Sequence, residues 1–130
     1  MTVELAFVNK LLSDSGVTAL VGNRIYSGMA PEGAKDPFVV FFLVNIVPHH
    51  ASGTDGTLKH RYYQFSAYSK AYDTAKAIAS ALCTCLQDFT GVMGGSGGVT
   101  IDRIFLDNGL DHSENGIAHI SQDFEIWYRE

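Results

Sequence analysis

The ten-residue run at positions 38–47, Phe-Val-Val-Phe-Phe-Leu-Val-Asn-Ile-Val, is the feature that most restricts the fold. Its β-branched and aromatic residues predict a strand, and the near absence of polar alternation predicts that both faces of this strand are covered. An amphipathic helix can cover one face. Because the other face needs a second helix or another copy of the chain, the sequence indicates an assembly subunit rather than an enzyme.

Length and composition support this interpretation. A chain of 130 residues is long enough to enclose one core, which predicts a single domain over residues 1–130. Charged residues make up only 18% of the chain, which favours buried interfaces, and the net charge of −5 argues against nucleic-acid binding by phosphate neutralisation. The N-terminus lacks the pattern of a signal peptide and the longest apolar run is too short to span a bilayer, so we expect a cytosolic protein without a membrane partner.

Hydrophobic periodicity predicts alternating helical and extended segments. The second of the two main helices is the clearest, because its small and apolar residues recur at helical spacing from a Ser69 cap. The predicted elements are a helix over 3–12, an added helical turn over 17–21, a short strand over 24–26, strands over 37–47 and 58–69, a helix from Ser69 through Phe89, and two final strands after a flexible glycine-rich link over 91–98.

The last two strands can be placed in register if Asn115-Gly116 forms a two-residue primed turn. Phe105 then faces Ile126 and Asp107 faces Phe124. The predicted fold is α+β, an antiparallel sheet of about four main strands with two helices on one face and a long hairpin loop over 48–57. In this register one face of the hairpin carries Val99, Ile101, Phe105, Phe124, Ile126 and Tyr128, and the other carries Ile104, Leu106, Glu125 and Trp127.

Motifs for catalysis or cofactor binding are weak, and we predict no catalytic, cofactor or metal residues. The glycines at 94–98 lack the lysine and hydroxyl residue of a phosphate-binding loop. Cys83 and Cys85 point in different directions on a helix and need no redox or metal role. The register places His112 opposite His119 with Glu114 on the same face, which is either a metal-binding set or an ordinary solvated cross-strand pair.

Several segments, in this order and spacing, resemble one family along nearly the whole chain. The sequence is similar to tail-completion proteins of tailed phages, the tail terminator or head-to-tail joining proteins of siphophages and prophages. The segments that carry the resemblance are Thr-Ala-Leu-Val-Gly-Asn-Arg-Ile-Tyr at 18–26, Ala-Pro-Glu-Gly-Ala at 30–34, Asp-Pro-Phe-Val-Val-Phe at 36–41, Tyr-Gln-Phe-Ser-Ala-Tyr-Ser at 63–69, Ala-Tyr-Asp-Thr-Ala at 71–75 and Gln-Asp-Phe-Glu-Ile-Trp at 122–127.

The resemblance implies a structural virion protein that forms a ring, usually a hexamer, on the end of the tail tube. Implied partners are further copies of the chain, the major tail-tube protein and the head connector, with DNA only as cargo in the channel. The implied location is the tail–neck junction of a virion assembled in the bacterial cytoplasm. One alternative is a neighbouring neck or head-closure protein. A remote alternative is a metal-dependent enzyme that uses His112, His119 and Glu114.

The residues expected to act in assembly fall into two groups. Subunit contacts are expected on the sheet face away from the helices, and docking contacts are expected in two loops. The sequence leaves open whether Phe38, Val40 and Phe42 or Val39, Phe41 and Leu43 form the outward face of their strand. The interface candidates are Phe38, Val40, Phe42, Ile104 and Trp127, and the docking-loop candidates are Pro31, Glu32, His49, His50 and Asp55.

Overall fold

The computed structural model describes residues 2–48 and 58–129, and these residues form an α+β fold. Within these ranges the chain has three helices and six strands. In chain order they are α1 (Val3–Leu12), α2 (Ser15–Val21), β1 (Ile25–Ser27), β2 (Phe38–Val47), β3 (Leu58–Ser69), α3 (Tyr72–Leu86), β4 (Gly91–Met93), β5 (Val99–Glu114) and β6 (Ile117–Arg129).

The strands form one mixed sheet in the order β1-β2-β3-β6-β5-β4. β1 runs parallel to β2, and every other neighbouring pair is antiparallel. The α+β class is confirmed, but the prediction of about four antiparallel strands and two helices is wrong in detail. β1 corresponds to the predicted short strand at 24–26, displaced by one residue, whereas the three residues of β4 lie in the predicted glycine-rich link and are too few for an alternating pattern to stand out in a sequence.

The third helix, α2, contains the predicted helical turn at 17–21 and begins two residues earlier, after a local cap at Asp14. The side chain of Asp14 accepts hydrogen bonds from the backbone N–H groups of Gly16 and Val17, at 2.9 and 3.2 Å. This satisfies donors that the first turn of a helix leaves unpaired. Part of the predicted flexible link at 91–98 is likewise ordered, because β4 pairs with the start of β5.

The core lies between the helices and one face of the sheet, with Phe7 of α1 at its centre. The Phe7 ring makes edge contacts with Phe41, Tyr63 and Phe65, at centroid distances of 5.7, 5.2 and 5.2 Å. All four side chains are fully buried. The sheet curls so that α1 contacts both edge strands, β1 and β4. α3 buries the predicted stripe, Ala75, Ile78, Ala79, Leu82, Cys85 and Leu86.

The ends of α3 differ from the prediction. The helix begins after Ala71, whose N–H donates to the Ser69 hydroxyl at 3.1 Å, so Ser69 stabilises the turn before the helix rather than its first turn. It ends at Leu86 because Gln87 adopts an extended backbone conformation. No helix in the described ranges has both the length and the apolar content needed to span a membrane.

The final hairpin has the predicted turn but a shifted register. Asn115 and Gly116 both have positive φ, 53° and 77°, as a primed turn requires, and His112 pairs with His119. Farther from the turn, β5 has two irregularities, between 101 and 103 and between 106 and 108. These irregularities shift the pairing of β5 with β6. A bulge adds a residue on one strand and reverses which face the following residues occupy.

This shift overturns several of the face assignments. Ile104, rather than Phe105, faces Ile126, and Phe124 faces Leu106 rather than Asp107. Ile104 is therefore fully buried in the core, and its prediction as an outward interface residue is wrong. Phe105 pairs with Glu125 instead and occupies the opposite face.

Candidate assembly surface

Aromatic rings cross the sheet face that lies away from the helices, which we call the outer face. Phe38 stacks on Tyr68 with centroids 4.9 Å apart, and Tyr68 stacks on His119 at 4.3 Å. Tyr26 extends this line beyond Phe38 at 6.1 Å, and His112 extends it beyond His119 at 6.2 Å. The result is a continuous ring row that runs from β1 to β5. Cross-strand aromatic pairs of this kind stabilise a sheet and leave broad rings available for contact.

A second cluster at the other end of the outer face centres on the carboxylate of Glu125. Its Oε1 accepts a hydrogen bond from Trp127 Nε1 at 2.9 Å and lies 3.2 Å from His60 Nε2. Its Oε2 accepts a hydrogen bond from the Tyr62 hydroxyl at 2.9 Å. The His60 imidazole also stacks on the Trp127 indole. These contacts fix the orientation of Trp127 against the sheet.

The cluster favours the charged form of Glu125. Burial raises the pKa of its carboxyl group. Hydrogen bonds from Trp127 and Tyr62, together with the nearby His60, lower the same pKa by a larger amount, so the net shift is downward. Tyr62 shows the reciprocal effect, because its hydrogen bond to Glu125 raises the pKa of its hydroxyl group. The network is therefore a charged, hydrogen-bonded support for an aromatic surface.

Between the two aromatic regions the outer face is polar. Asp123 of β6 lies between Gln64 of β3 and Asn108 of β5. Burial, and to a lesser degree the nearby Asp107, raises the pKa of the Asp123 carboxyl group. Its Oδ1 atom is buried and has no hydrogen-bond partner among the described residues. This position therefore destabilises the folded chain when Asp123 is charged.

The second half of β2 is apolar, and the residues that the structure describes leave it uncovered. Val39 and Phe41 are fully buried in the core, which places Phe38, Val40 and Phe42 on the outer face. From Phe42 onward the alternation ends, because large side chains on both faces are exposed. The exposed fractions are 38% for Phe42, 36% for Leu43, 50% for Val44 and 50% for Ile46.

The other interface candidates occupy different environments. Phe38 and Trp127 lie on the outer face, where both are partly buried by their stacking partners. Val40 also faces outward but is only 7% exposed, so it offers little contact area. The five interface candidates do not include the exposed Leu43, Val44, Ile46 and Leu110, nor the ring of Tyr68, although Leu43 belongs to the alternative outward face. The uncharged stretch that continues after Val40 is the sequence feature that indicates Leu43, Val44 and Ile46 as contact residues.

The loop candidates are only partly within the described residues. Pro31 and Glu32 are exposed in the connection between β1 and β2, as a docking loop requires. The Asp36 side chain accepts a hydrogen bond from the Lys70 N–H at 2.8 Å, which ties the end of this loop to the chain before α3. His49, His50 and Asp55 lie outside the described residues.

The predicted histidine pair forms, but the described side chains around it do not complete a metal site. His112 and His119 meet edge to face, and His119 Nε2 lies 2.8 Å from the Ser121 hydroxyl. The side chain of Glu114 lies outside the described part of the structure. Among the side chains that are described, no three His, Cys, Asp or Glu residues are grouped to hold a metal ion.

Cys85 is buried on α3 and is not a reactive thiol. Cys83 and Cys85 are both free thiols. Burial, together with a hydrogen bond to Asp14, raises the pKa of the Cys85 thiol to about 12. A thiol with so high a pKa is a poor nucleophile at neutral pH. The candidate site of the described residues is therefore a contact surface, made of the rings of the outer face and the exposed aliphatic side chains of β2.

Comparison with known proteins places this architecture in context. A family model described as tail completion protein gp17 matches residues 6–129. A chain from a solved structure described as the virion of a native gene transfer agent particle is 20% identical; the match covers 98% of this chain and 94% of that chain, with a TM-score of 0.76. A second solved structure, whose name states no function, is 17% identical over 97% of this chain and 96% of its own, with a TM-score of 0.59. No curated protein matches. At these identities the two structures show a shared fold.

Proposed function

The chain belongs to the tail completion protein gp17 family, so it is a structural protein of a phage tail, and on this premise we propose that it closes the tail tube as a ring and joins the tail to the head connector. The expected ring is a homo-oligomer, with six copies as the resemblance to tail terminators implies. Its partners are further copies of the chain, the major tail-tube protein and the head connector, and DNA passes through the channel as cargo. We place it at the tail–neck junction of a virion assembled in the bacterial cytoplasm, as a single domain over residues 1–130.

The observation that carries the proposal is the uncovered apolar half of β2. Phe42, Leu43, Val44 and Ile46 expose between 36% and 50% of their surface within one short stretch of strand. An apolar patch that stays exposed to water is less stable than the same patch when buried, by about 25 cal/mol for each Å² of its surface. Burial against a neighbouring copy recovers this free energy, which favours an assembled state.

A closed ring also needs two different patches on each subunit, because each copy contacts one neighbour on either side. The apolar half of β2 lies toward one edge of the sheet, so the second patch is a different surface that receives it on the neighbouring copy. The virion structure that shares this fold supports the same setting, since that relative is described as part of an assembled particle. The exposed loop that contains Pro31 and Glu32 is the proposed axial contact to the tube or the connector.

Electron microscopy of purified protein mixed with tail tubes, together with mass measurement, tests the ring. Rings at tube ends are the expected result. The charge variant Phe42→Glu is expected to leave the monomer folded and to abolish the rings. Leu12→Glu is the matched control, because Leu12 is equally exposed at 40% but lies on α1. Wild-type protein that never caps a tube would overturn the proposal, and rings that bind only the head connector would favour a neck protein instead.

A further inference from the structure

Among residues 2–48 and 58–129, no strand pairs with the outer edge of β2 along its second half. β1 pairs only with residues 39–41, and its continuation adds one bond, from the Gly28 N–H to the Phe41 carbonyl at 2.7 Å. Alternate residues of a strand direct their backbone groups to the same side. The backbone N–H and C=O groups of Leu43 therefore face the open side. The irregularity at Val44 shifts the alternation by one residue, so the backbone groups of Ile46 face the open side as well.

At the opposite edge of the sheet, the described part of the chain supplies no strand partner for the second half of β5. β4 pairs only with residues 99–101. Further along, the Asp88 N–H donates to the Ile104 carbonyl at 2.8 Å, and Gln87 accepts from the Leu106 N–H at 2.6 Å, so this stretch is covered. After the bulge at 107 the alternation turns the backbone groups of Gly109 and Asp111 toward the open side.

We propose that residues 42–47 of one copy pair antiparallel with residues 108–112 of the next copy, so that the sheet continues from subunit to subunit. The inference rests on the proposed ring and identifies its subunit contact. β2, β3, β6 and β5 alternate in direction, so β2 and β5 run opposite ways within one chain. Two copies placed side by side in the same orientation therefore bring β2 and β5 together as an antiparallel pair.

One register satisfies both the hydrogen-bonding sides and the faces of the two edges. Ile46 pairs with Gly109 and Leu43 pairs with Asp111, and these are the residues whose backbone groups face outward. Asn45 then lies opposite Leu110 on the outer face, and Val44 remains the bulged residue. Gly109 has no side chain, which leaves room for Ile46, and the 64% exposed Leu110 gains an apolar edge to cover it.

Charge favours this pairing over self-pairing of either edge. Residues 42–47 contain no charged side chain, whereas Asp107 and Asp111 lie along the β5 edge. The Asp111 carboxylate is paired with Lys76 at 3.1 Å, but two β5 edges would still bring the Asp107 side chains of both copies to one interface, which is unfavourable. Two β2 edges would form a closed dimer and leave both β5 edges unpaired. Only the pairing of unlike edges uses both surfaces in every subunit.

Single-cysteine variants test the register directly. Cys83 and Cys85 are first replaced by Ala, and this background is checked for wild-type assembly. Asn45→Cys and Leu110→Cys protein are then mixed in the presence of tail tubes and oxidised. The pair is a non-hydrogen-bonded one, with an expected Cα separation of about 4.5 Å, within the range of about 4.4–6.8 Å that a disulfide spans. We expect a cross-linked dimer in the mixture and none from either variant alone.

The outcomes separate the edge pairing from the ring itself. Tube capping without the mixed cross-link, or cross-linking by Asn45→Cys alone, would overturn the edge pairing and leave the ring intact. Absence of capping by the wild-type protein would overturn the ring. As a second measurement, Ile46→Glu places a charged group within the apolar contact, where pairing of the two edges would remove it from water, and is expected to raise the concentration needed for assembly by at least about tenfold, whereas Thr84→Glu, on the exposed side of α3, leaves it unchanged.

Discussion

The imidazole of His60 lies flat on the indole of Trp127, with centroids 3.7 Å apart and planes inclined by 12°. Both rings also contact the Glu125 carboxylate, so the stack is fixed at one edge by polar contacts. Trp127 is the only tryptophan of the chain, and its fluorescence therefore reports on the outer face without labelling.

Removal of the stacked imidazole is expected to expose Trp127. His60→Ala loses a ring contact and a polar contact to Glu125, which together contribute about 1–3 kcal/mol to the free energy of unfolding. The emission maximum should also shift to longer wavelength because water reaches the indole. Urea unfolding followed by fluorescence measures both quantities. His112→Ala at the exposed end of the ring row is the control and should change stability by less than about 0.5 kcal/mol.

Glu125 is expected to make stability depend on pH in one direction. Its folded pKa lies below the ordinary value of 4.5, so the stabilisation is present above pH 4.5 and is lost as the pH falls through the folded pKa. Glu125→Gln should therefore cost about 1.5–3 kcal/mol at pH 7 and progressively less below pH 4.5. Unfolding curves of both proteins across this range give the difference. An equal cost at pH 7 and pH 3 would contradict the role of the charge.

Asp123 is expected to act with the opposite sign. Its folded pKa is raised above 3.8, so the folded chain binds the proton more tightly and stability falls as the pH rises from 3.8 through the folded pKa. Asp123→Asn should therefore stabilise the monomer by about 0.5–2 kcal/mol at pH 7 and have no such effect below pH 3.8. Thermal unfolding at the two pH values distinguishes this from a change independent of charge. Destabilisation at pH 7 would show that the carboxylate has a favourable contact.

The core prediction concerns Phe7, which contacts three other aromatic rings. Phe7→Ala should lower the free energy of unfolding by about 3–5 kcal/mol because it removes a buried ring and leaves a cavity. Leu5→Ala in the same helix is the control, since Leu5 is 50% exposed and should cost far less. Denaturant unfolding of both variants provides the comparison. Similar costs for the two would place the core elsewhere.

The sequence predicts the parts of the fold whose pattern extends over many residues. β2, β3, α1 and the buried stripe of α3 follow from runs long enough to show their period, and Asn115-Gly116 predicts its turn because both positions need positive φ. The short strand β1 is predicted to within one residue, but β4 is not, since its three residues adjoin a glycine-rich link and show no period. The bulges of β5 also depend on tertiary packing, and for that reason Ile104 was assigned to the wrong face.

The residues of the candidate surface also divide into those that a local pattern predicts and those that depend on tertiary packing. An unpaired apolar strand was evident from residues 38–47, because nothing in the chain offered a second cover. The exposure of Leu43, Val44 and Ile46 depends on where β1 ends, which no local pattern indicates. The ring row likewise depends on the alignment of separate strands, and only the His112–His119 pair followed from a turn signal.

The position of β3 in the sheet has a consequence for synthesis on the ribosome. One of its two neighbours, β2, precedes it in the chain, but the other, β6, ends at Arg129 and is translated after the other five described strands. After β3 has been synthesised, about sixty further residues are added before β6 is complete, and during this time the edge of β3 that pairs with β6 has no partner. Synthesis of these residues takes about 3–12 s at ordinary elongation rates of about 5–20 residues per second. Stop codons placed within β6 are thus expected to yield chains that bind chaperones or aggregate, whatever their ability to join a ring.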